Sequence, residues 1–200
     1  IFDLINSGFN KIKIFEWSDD VEGSLRNQPN YQTRRDFISK YLNTIEGIAK
    51  RCSEIGVLGF ILTDHECVSG SIKAQQLKKK YPNLKVGLGN EIYLVNERGS
   101  GQKYYHYILI AKNGLGHKAI RELSSIAWIN SYTDRGMTRV PTLKSELAQI
   151  VAKYPNSLIA TSACLGGELS SLTLELIKFE TMENTVEAYK IKEQIYGNID

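Results

Sequence analysis

The sequence predicts an α/β fold in which strands and amphipathic helices alternate along one chain. Three observations lead there. Apolar residues at three- and four-residue steps mark helices, short apolar runs mark strands between them, and Gly, Pro or polar residues punctuate the junctions. No internal repeat and no low-complexity segment points to another architecture.

Taken in order, Leu42, Ile45, Ile48, Ala49, Cys52 and Ile55 form one apolar stripe and predict a helix over 41–54, with Gly56 as its stop. The apolar run from Val57 to Leu62 predicts a buried strand that closes on Thr63-Asp64-His65. A helix over 70–80 follows and ends before Pro82. Its terminal Lys78-Lys79-Lys80 reads as a solvated helix end, where cations are favoured. Residues 85–94 and 103–111 predict two strands joined by a polar, Gly-containing loop at 96–102. Ile120, Leu123, Ile126 and Ala127 predict a helix over 116–129. Pro141-Thr142 is expected to open another, carrying Leu143, Leu147, Ile150 and Val151. Ser157–Thr161 predicts a strand, followed by Cys164-Leu-Gly-Gly. Asn184 and Glu187 have the spacing of a capping box for a last helix at 185–195.

The chain has 200 residues, ample to bury a core without staples. Three cysteines cannot all pair and show no CxxC spacing, so a disulfide framework is not expected and a reducing compartment is. The N-terminal residues lack a basic leader, and no apolar run reaches membrane-spanning length. A net charge of +3, with acids and bases balanced in both halves, gives no electrostatic signature of nucleic-acid binding. Three histidines cap the size of any imidazole-based metal site.

In α/β folds chemistry gathers at the C-terminal ends of strands. Asp64, His65, Glu91 and Cys164 fall at or just beyond strand ends, and His106 lies within a strand. Their types suit zinc, manganese or iron better than calcium or magnesium. Each also has a plainer reading. Asp64 and His65 could form a turn in which Asp64 caps the next helix. Glu91 in an apolar strand needs a partner, because an isolated buried charge is costly. His106 could be a satisfied core histidine, and Cys164 a small buried hydrophobe. Cys52 and Cys67 read as structural, His117 as surface, and Trp17 and Trp128 as packing. Gly87-x-Gly89 lacks the third glycine and the helix of a nucleotide loop.

Five stretches in order resemble the polymerase and histidinol phosphatase (PHP) domain family, in particular the N-terminal PHP domain of bacterial-type DNA polymerase III alpha subunits. They are Gly59–His65, Gly87–Tyr93, His106–Lys112, Arg121–Ser125 and Leu158–Glu168. The wording at Asn90–Asn96 and Met137–Pro141 is similar to phage-borne versions. The resemblance covers 41–200. Residues 1–40 match poorly and stand where the first strand and helix of the fold belong.

The resemblance implies a distorted (β/α)7 barrel with metal ions at its mouth. It implies Asp64, His65, Glu91, His106 and Cys164 as the surviving metal-site positions. Zinc or manganese is the implied cofactor if this reduced site binds metal. In an active member such metals generate hydroxide and polarise a phosphate. The family's opening His-x-His is absent: Ile12-Lys-Ile14 or Gln28-Pro-Asn30 stands in its place, and neither can replace two imidazoles. The family's final Asp-x-His lies past residue 200, so the domain is expected to be truncated before its last motif.

The first functional expectation is therefore the N-terminal PHP portion of a replicative polymerase, cytoplasmic, with a degenerate metal site and a mainly structural role. Its implied partners are the remainder of the polymerase, an exonuclease or sliding clamp, and DNA through the full polymerase. No polymerase carboxylates can be assigned in this chain. The alternatives are a stand-alone metal-dependent phosphoesterase or 3′–5′ exonuclease with a reduced site, and a non-enzymatic module that binds replication proteins.

Overall fold

The computed structural model describes residues 44–99, 101–182 and 184–197. The expectations for 1–40, including both His-x-His alignments and Trp17, lie outside the described residues, as does Leu42. The described chain forms two compact units. One holds residues 44–64 and 68–89, and the other residues 65–67 and 90–197.

In the first unit, helix α1 (Ile45–Glu54) starts where Thr44 accepts the Gly47 N–H at 2.9 Å through its hydroxyl. This N-cap satisfies one of the donors that a helix start leaves open. The predicted stripe is real: Ala49 and Cys52 are buried against Phe60 and Leu84, with Ile45, Ile48 and Leu77 packed around them. Burial also pushes the Cys52 thiol above its ordinary value. Strand β1 (Gly59–Leu62) pairs in parallel with the first half of β2 (Lys85–Val95), from Gly59 opposite Lys85 to Leu62 opposite Leu88. Helix α2 (Ser71–Lys80) connects them, as a parallel pair requires. Its N-cap is Gly70, so Asp64 is not the helix-capping residue. Lys80 is not merely solvated, since its ammonium bonds the Glu46 carboxylate on α1.

In the second unit, the remainder of β2 pairs in parallel with β6 (Pro141–Leu143) through Tyr93–Val95. Strand β3 (Tyr105–Ala111) is the other neighbour of β2, and it pairs antiparallel with β7 (Leu158–Thr161). Helix α3 (Gly114–Ile129) buries Ala119, Ile120, Leu123 and Ala127 and packs on β3, on β6 and on α4 (Lys144–Lys153). Each fully buried Leu or Ile contributes about 1.5–3 kcal/mol relative to exposure. His117 lies in the first turn of α3 and is partly buried rather than on the surface.

Several expectations change. Pro141-Thr142 does not open a helix: both residues are buried in β6, where proline is tolerated as the first strand residue. Helix α4 begins at Lys144, and the Leu143 N–H donates to the Glu146 carboxylate at 2.9 Å. The hairpin β4 (Tyr132–Asp134) and β5 (Met137–Arg139) was not among the expected elements. Its two-residue turn has positive φ at both Arg135 and Gly136, the pattern of a type I′ hairpin. Helix α5 (Glu168–Thr181) was not expected either; the last helix, α6 (Thr185–Gly197), was. The Asn184 carboxamide accepts the Glu187 N–H at 3.3 Å, as the capping spacing predicted. The fold is mixed α/β with both parallel and antiparallel pairing, and its strand order is open among the described residues rather than a closed barrel. No helix there is long and apolar enough to cross a membrane.

Candidate functional site

Alternation along β2 places Glu91 and Tyr93 on one face. His65 forms a single parallel bridge with Glu91, and the next residue, Glu66, donates its N–H to the Glu91 carbonyl at 2.7 Å. Beside β2, β3 carries His106. Beyond β3, the turn after β7 carries Cys164, and its Gly166 carbonyl accepts the His106 N–H at 3.1 Å. Four backbone segments lying side by side thus deliver His65, Glu91, His106 and Cys164 to one place.

The Glu91 side chain is only 2% exposed. Its Oε1 lies 2.8 Å from His106 Nδ1 and 3.6 Å from His65 Nδ1. Cys164 Sγ lies 3.5 Å from the same His106 Nδ1 and accepts the Gly166 N–H at 3.3 Å. The buried Glu91 Oε1 thus has imidazole at ion-pair distance, without the geometry of a hydrogen bond. His106 is neither fully buried nor merely a core residue, and Cys164 is likewise only partly buried. Asp64 belongs to the other unit. It follows β1 directly, and a Cβ added at Gly70 would meet its Oδ2 at 2.6 Å.

Further residues at the site carried no signal in the sequence pattern. The Tyr93 hydroxyl stands 3.2 Å from His65 Nδ1, and its ring centroid is 4.8 Å from that of His106. Its position two residues after Glu91 on a strand was the one available clue. Glu66 has φ of +56°, a conformation uncommon for a residue with a side chain. Its carbonyl accepts the Trp128 indole N–H at 2.8 Å and the Ser124 hydroxyl at 3.3 Å, so Trp128 does more than pack. The Asn90 carboxamide donates to the Cys67 carbonyl at 3.0 Å. Residues 65–67 are thereby tied to β2 and α3. Burial raises the Glu66 carboxyl above its usual value, and a Val140 backbone N–H and the charges of His65 and Arg139 oppose that rise. Ala163, just before Cys164, also has positive φ, at +55°. Two left-handed residues beside the site are the kind of local strain that surrounding bonds must hold.

An aromatic wall adjoins this group. The Tyr104 ring lies 6.3 Å from Tyr93, and its hydroxyl is 2.6 Å from that of Tyr132. The Arg139 guanidinium sits 5.4 Å from the Tyr104 centroid. Burial, together with the Tyr132 hydroxyl, pushes the Tyr104 phenol up to about 12.

The donor types of Glu91, His65, His106 and Cys164 suit zinc or manganese. At 2.8 Å, Glu91 Oε1 and His106 Nδ1 are in direct contact at ion-pair distance, without hydrogen-bond geometry. Among the described residues, no three His, Cys, Asp or Glu side chains are set to hold a metal ion. No reaction step through a metal follows from this geometry.

The model of the PHP domain family matches residues 31–197. A probable DNA polymerase of Bacillus subtilis, YorL, is 34% identical over 166 residues, which is 76% of this chain and 12% of that protein. A DNA-directed DNA polymerase of Bacillus phage SPbeta matches equally. The DNA polymerase III subunit alpha of Borreliella burgdorferi is 30% identical over 161 residues, covering 77% of this chain and 13% of that subunit. The chain thus spans only 12–13% of the length of these relatives. A family match that runs over residues 31–197 makes the chain a member of the PHP domain family.

Proposed function

We propose that the chain is the N-terminal PHP portion of a DNA polymerase III alpha-like replicative polymerase, with a degenerate metal site and a mainly structural role. The observation that carries this reading is the contact between Glu91 and His106. A buried carboxylate and an imidazole lie in direct contact there, while the sequence retains only three histidines and no His-x-His. The length of the similar polymerases supports a module within a larger protein.

On this reading residues 41–200 form most of a distorted (β/α)7 barrel, a view supported by the parallel pairing of β2 with β1 and β6. The polymerase remainder is the immediate partner. An exonuclease, a sliding clamp and DNA are partners of the assembled enzyme, which works in the cytoplasm.

Metal analysis of the purified 200-residue chain, with hydrolysis of phosphomonoesters and DNA 3′ ends in added zinc or manganese, tests the reading. Substoichiometric metal and no turnover are expected. Stoichiometric metal with turnover abolished by His65→Ala would overturn it in favour of a phosphoesterase built on His65, Glu91, His106 and Cys164.

A further inference from the structure

Arg98 and Arg139 each hold a side-chain Nε that is shut off from solvent and has no hydrogen-bond partner. Arg98 is otherwise committed: its Nη2 reaches both Glu146 carboxylate oxygens, at 2.8 and 2.7 Å. Arg139 is not. Among the described residues its guanidinium meets no acceptor at hydrogen-bond or ion-pair distance, and it lies instead against the face of Tyr104. A partly buried guanidinium without an acceptor is costly, because donors withdrawn from water gain nothing in return.

The free fork stands beside the histidine pair. Tyr104 packs on Tyr93, whose ring centroid is 4.8 Å from that of His106 and 5.8 Å from that of His65. The Glu66 carboxyl feels the charges of His65 and Arg139 together and accepts the N–H of Val140, the residue after Arg139. Glu66 nevertheless forms no ion pair with the guanidinium. Arg139 stands opposite Tyr132 in the β4–β5 hairpin, and the Tyr132 hydroxyl is held by Tyr104 and by the Gly99 carbonyl. The cation is therefore positioned by its surroundings.

Paired guanidinium donors fit carboxylate and phosphate alike. Phosphate suits this place better, since a carboxylate is already near in Glu66 and does not close on Arg139. A phosphate monoester brings about two negative charges and three acceptor oxygens. It can occupy the fork and still face the His65 imidazole, whose side chain is 43% exposed.

We propose that Arg139 anchors a phosphate-binding site at the edge of the histidine pair, one that needs no metal ion. Its ligand is a phosphate monoester group or the free ion. The site goes beyond the function proposed above and does not rest on it.

An NMR titration of the 200-residue chain tests the site by following the Arg139 Nε–H signal, assigned in the unaltered chain, with a chelator present. Inorganic phosphate, a nucleoside 5′-monophosphate and an unphosphorylated single-stranded oligonucleotide are added in turn, with acetate as the carboxylate control. Phosphate and the monophosphate are expected to move the signal at millimolar concentration, and acetate is not. Arg139→Gln should weaken phosphate binding at least tenfold, and Arg139→Lys, which keeps the charge but not the fork, should weaken it less. Tighter binding of the monophosphate would support the site with a nucleotide as its source of phosphate, and equal binding would support it with the free ion. Thermal midpoints show whether each variant folds, and the unaltered chain's titration decides alone if neither does. An unmoved Arg139 signal, undiminished binding by folded Arg139→Gln, or binding seen only without the chelator would overturn the site. So would an equal response to acetate, or a response to the oligonucleotide alone.

Discussion

His106 Nδ1 and Glu91 Oε1 meet at 2.8 Å across neighbouring strands, and His65 and Cys164 close on the same two atoms from either side. The pair is asymmetric in burial: the Glu91 side chain is 2% exposed and that of His106 is 29% exposed. Glu91 thus depends on the imidazole more than the imidazole depends on it.

Removing the imidazole should therefore be costly. His106→Ala is expected to lower stability by about 3 kcal/mol, the scale for leaving a buried charge without its partner. Glu91→Gln removes that charge along with its need for a partner and should lose about half as much. Urea denaturation of the two variants checks the order, and equal losses would show that the charge contributes nothing.

Two adjacent glycines should behave differently. A Cβ at Gly167 would stand 2.1 Å from the Ser162 carbonyl oxygen, so Gly167→Ala forces the backbone apart and should cost at least about 2 kcal/mol. A Cβ at Gly166 would meet the His106 ring at 3.0 Å. Gly166→Ala should shift the His106 imidazole NMR signals while changing stability by less than about 1 kcal/mol.

The hairpin turn offers a test of backbone conformation alone. Gly136 has φ of +79°, and a Cβ there would touch nothing within 4 Å. Gly136→Ala should then lower stability by about 1 kcal/mol through its dihedral preference. No loss in a thermal melt would mean that the turn adopts another conformation.

His117 supplies the pH dependence. Burial first, and then the nearby Arg121 charge, hold its imidazole below the usual 6.5. Its folded form binds a proton less readily than its unfolded form, so its contribution is present above about pH 6.5 and is lost as the pH falls through the folded value. Urea midpoints should fall between about pH 7.5 and pH 5.5, and fall less in His117→Gln. An equal fall in both proteins would assign the dependence to other groups.

Much of the fold was legible because its elements obey simple periods. The stripe through Ala49 and Cys52, the strand at Gly59–Leu62 and the helix carrying Ile120 and Leu123 each show an apolar pattern that burial then uses. Pro141 misled because proline suits the first residue of a strand as well as of a helix; a neighbouring β2 edge decided between them. Helix α5 carries Leu169, Leu172, Leu176 and Phe179 at helical steps directly behind two glycines, and the sequence reading assigned it no element. The β4–β5 hairpin is three residues a side, too short for periodicity to show.

The candidate site divides the same way. Residue types and motif order in the sequence by themselves determined the family, and picked out Asp64, His65, Glu91, His106 and Cys164. Only the tertiary structure decided that the last four of these converge on two atoms while Asp64 belongs to the other unit, that Tyr93 joins them, and that Glu66 anchors the turn through Trp128 and Ser124. Chain order records which side chains are present. Distances between them are set by strand neighbours and register, which pair residues far apart in sequence, and by left-handed turns such as those at Glu66 and Ala163 that no apolar period encodes.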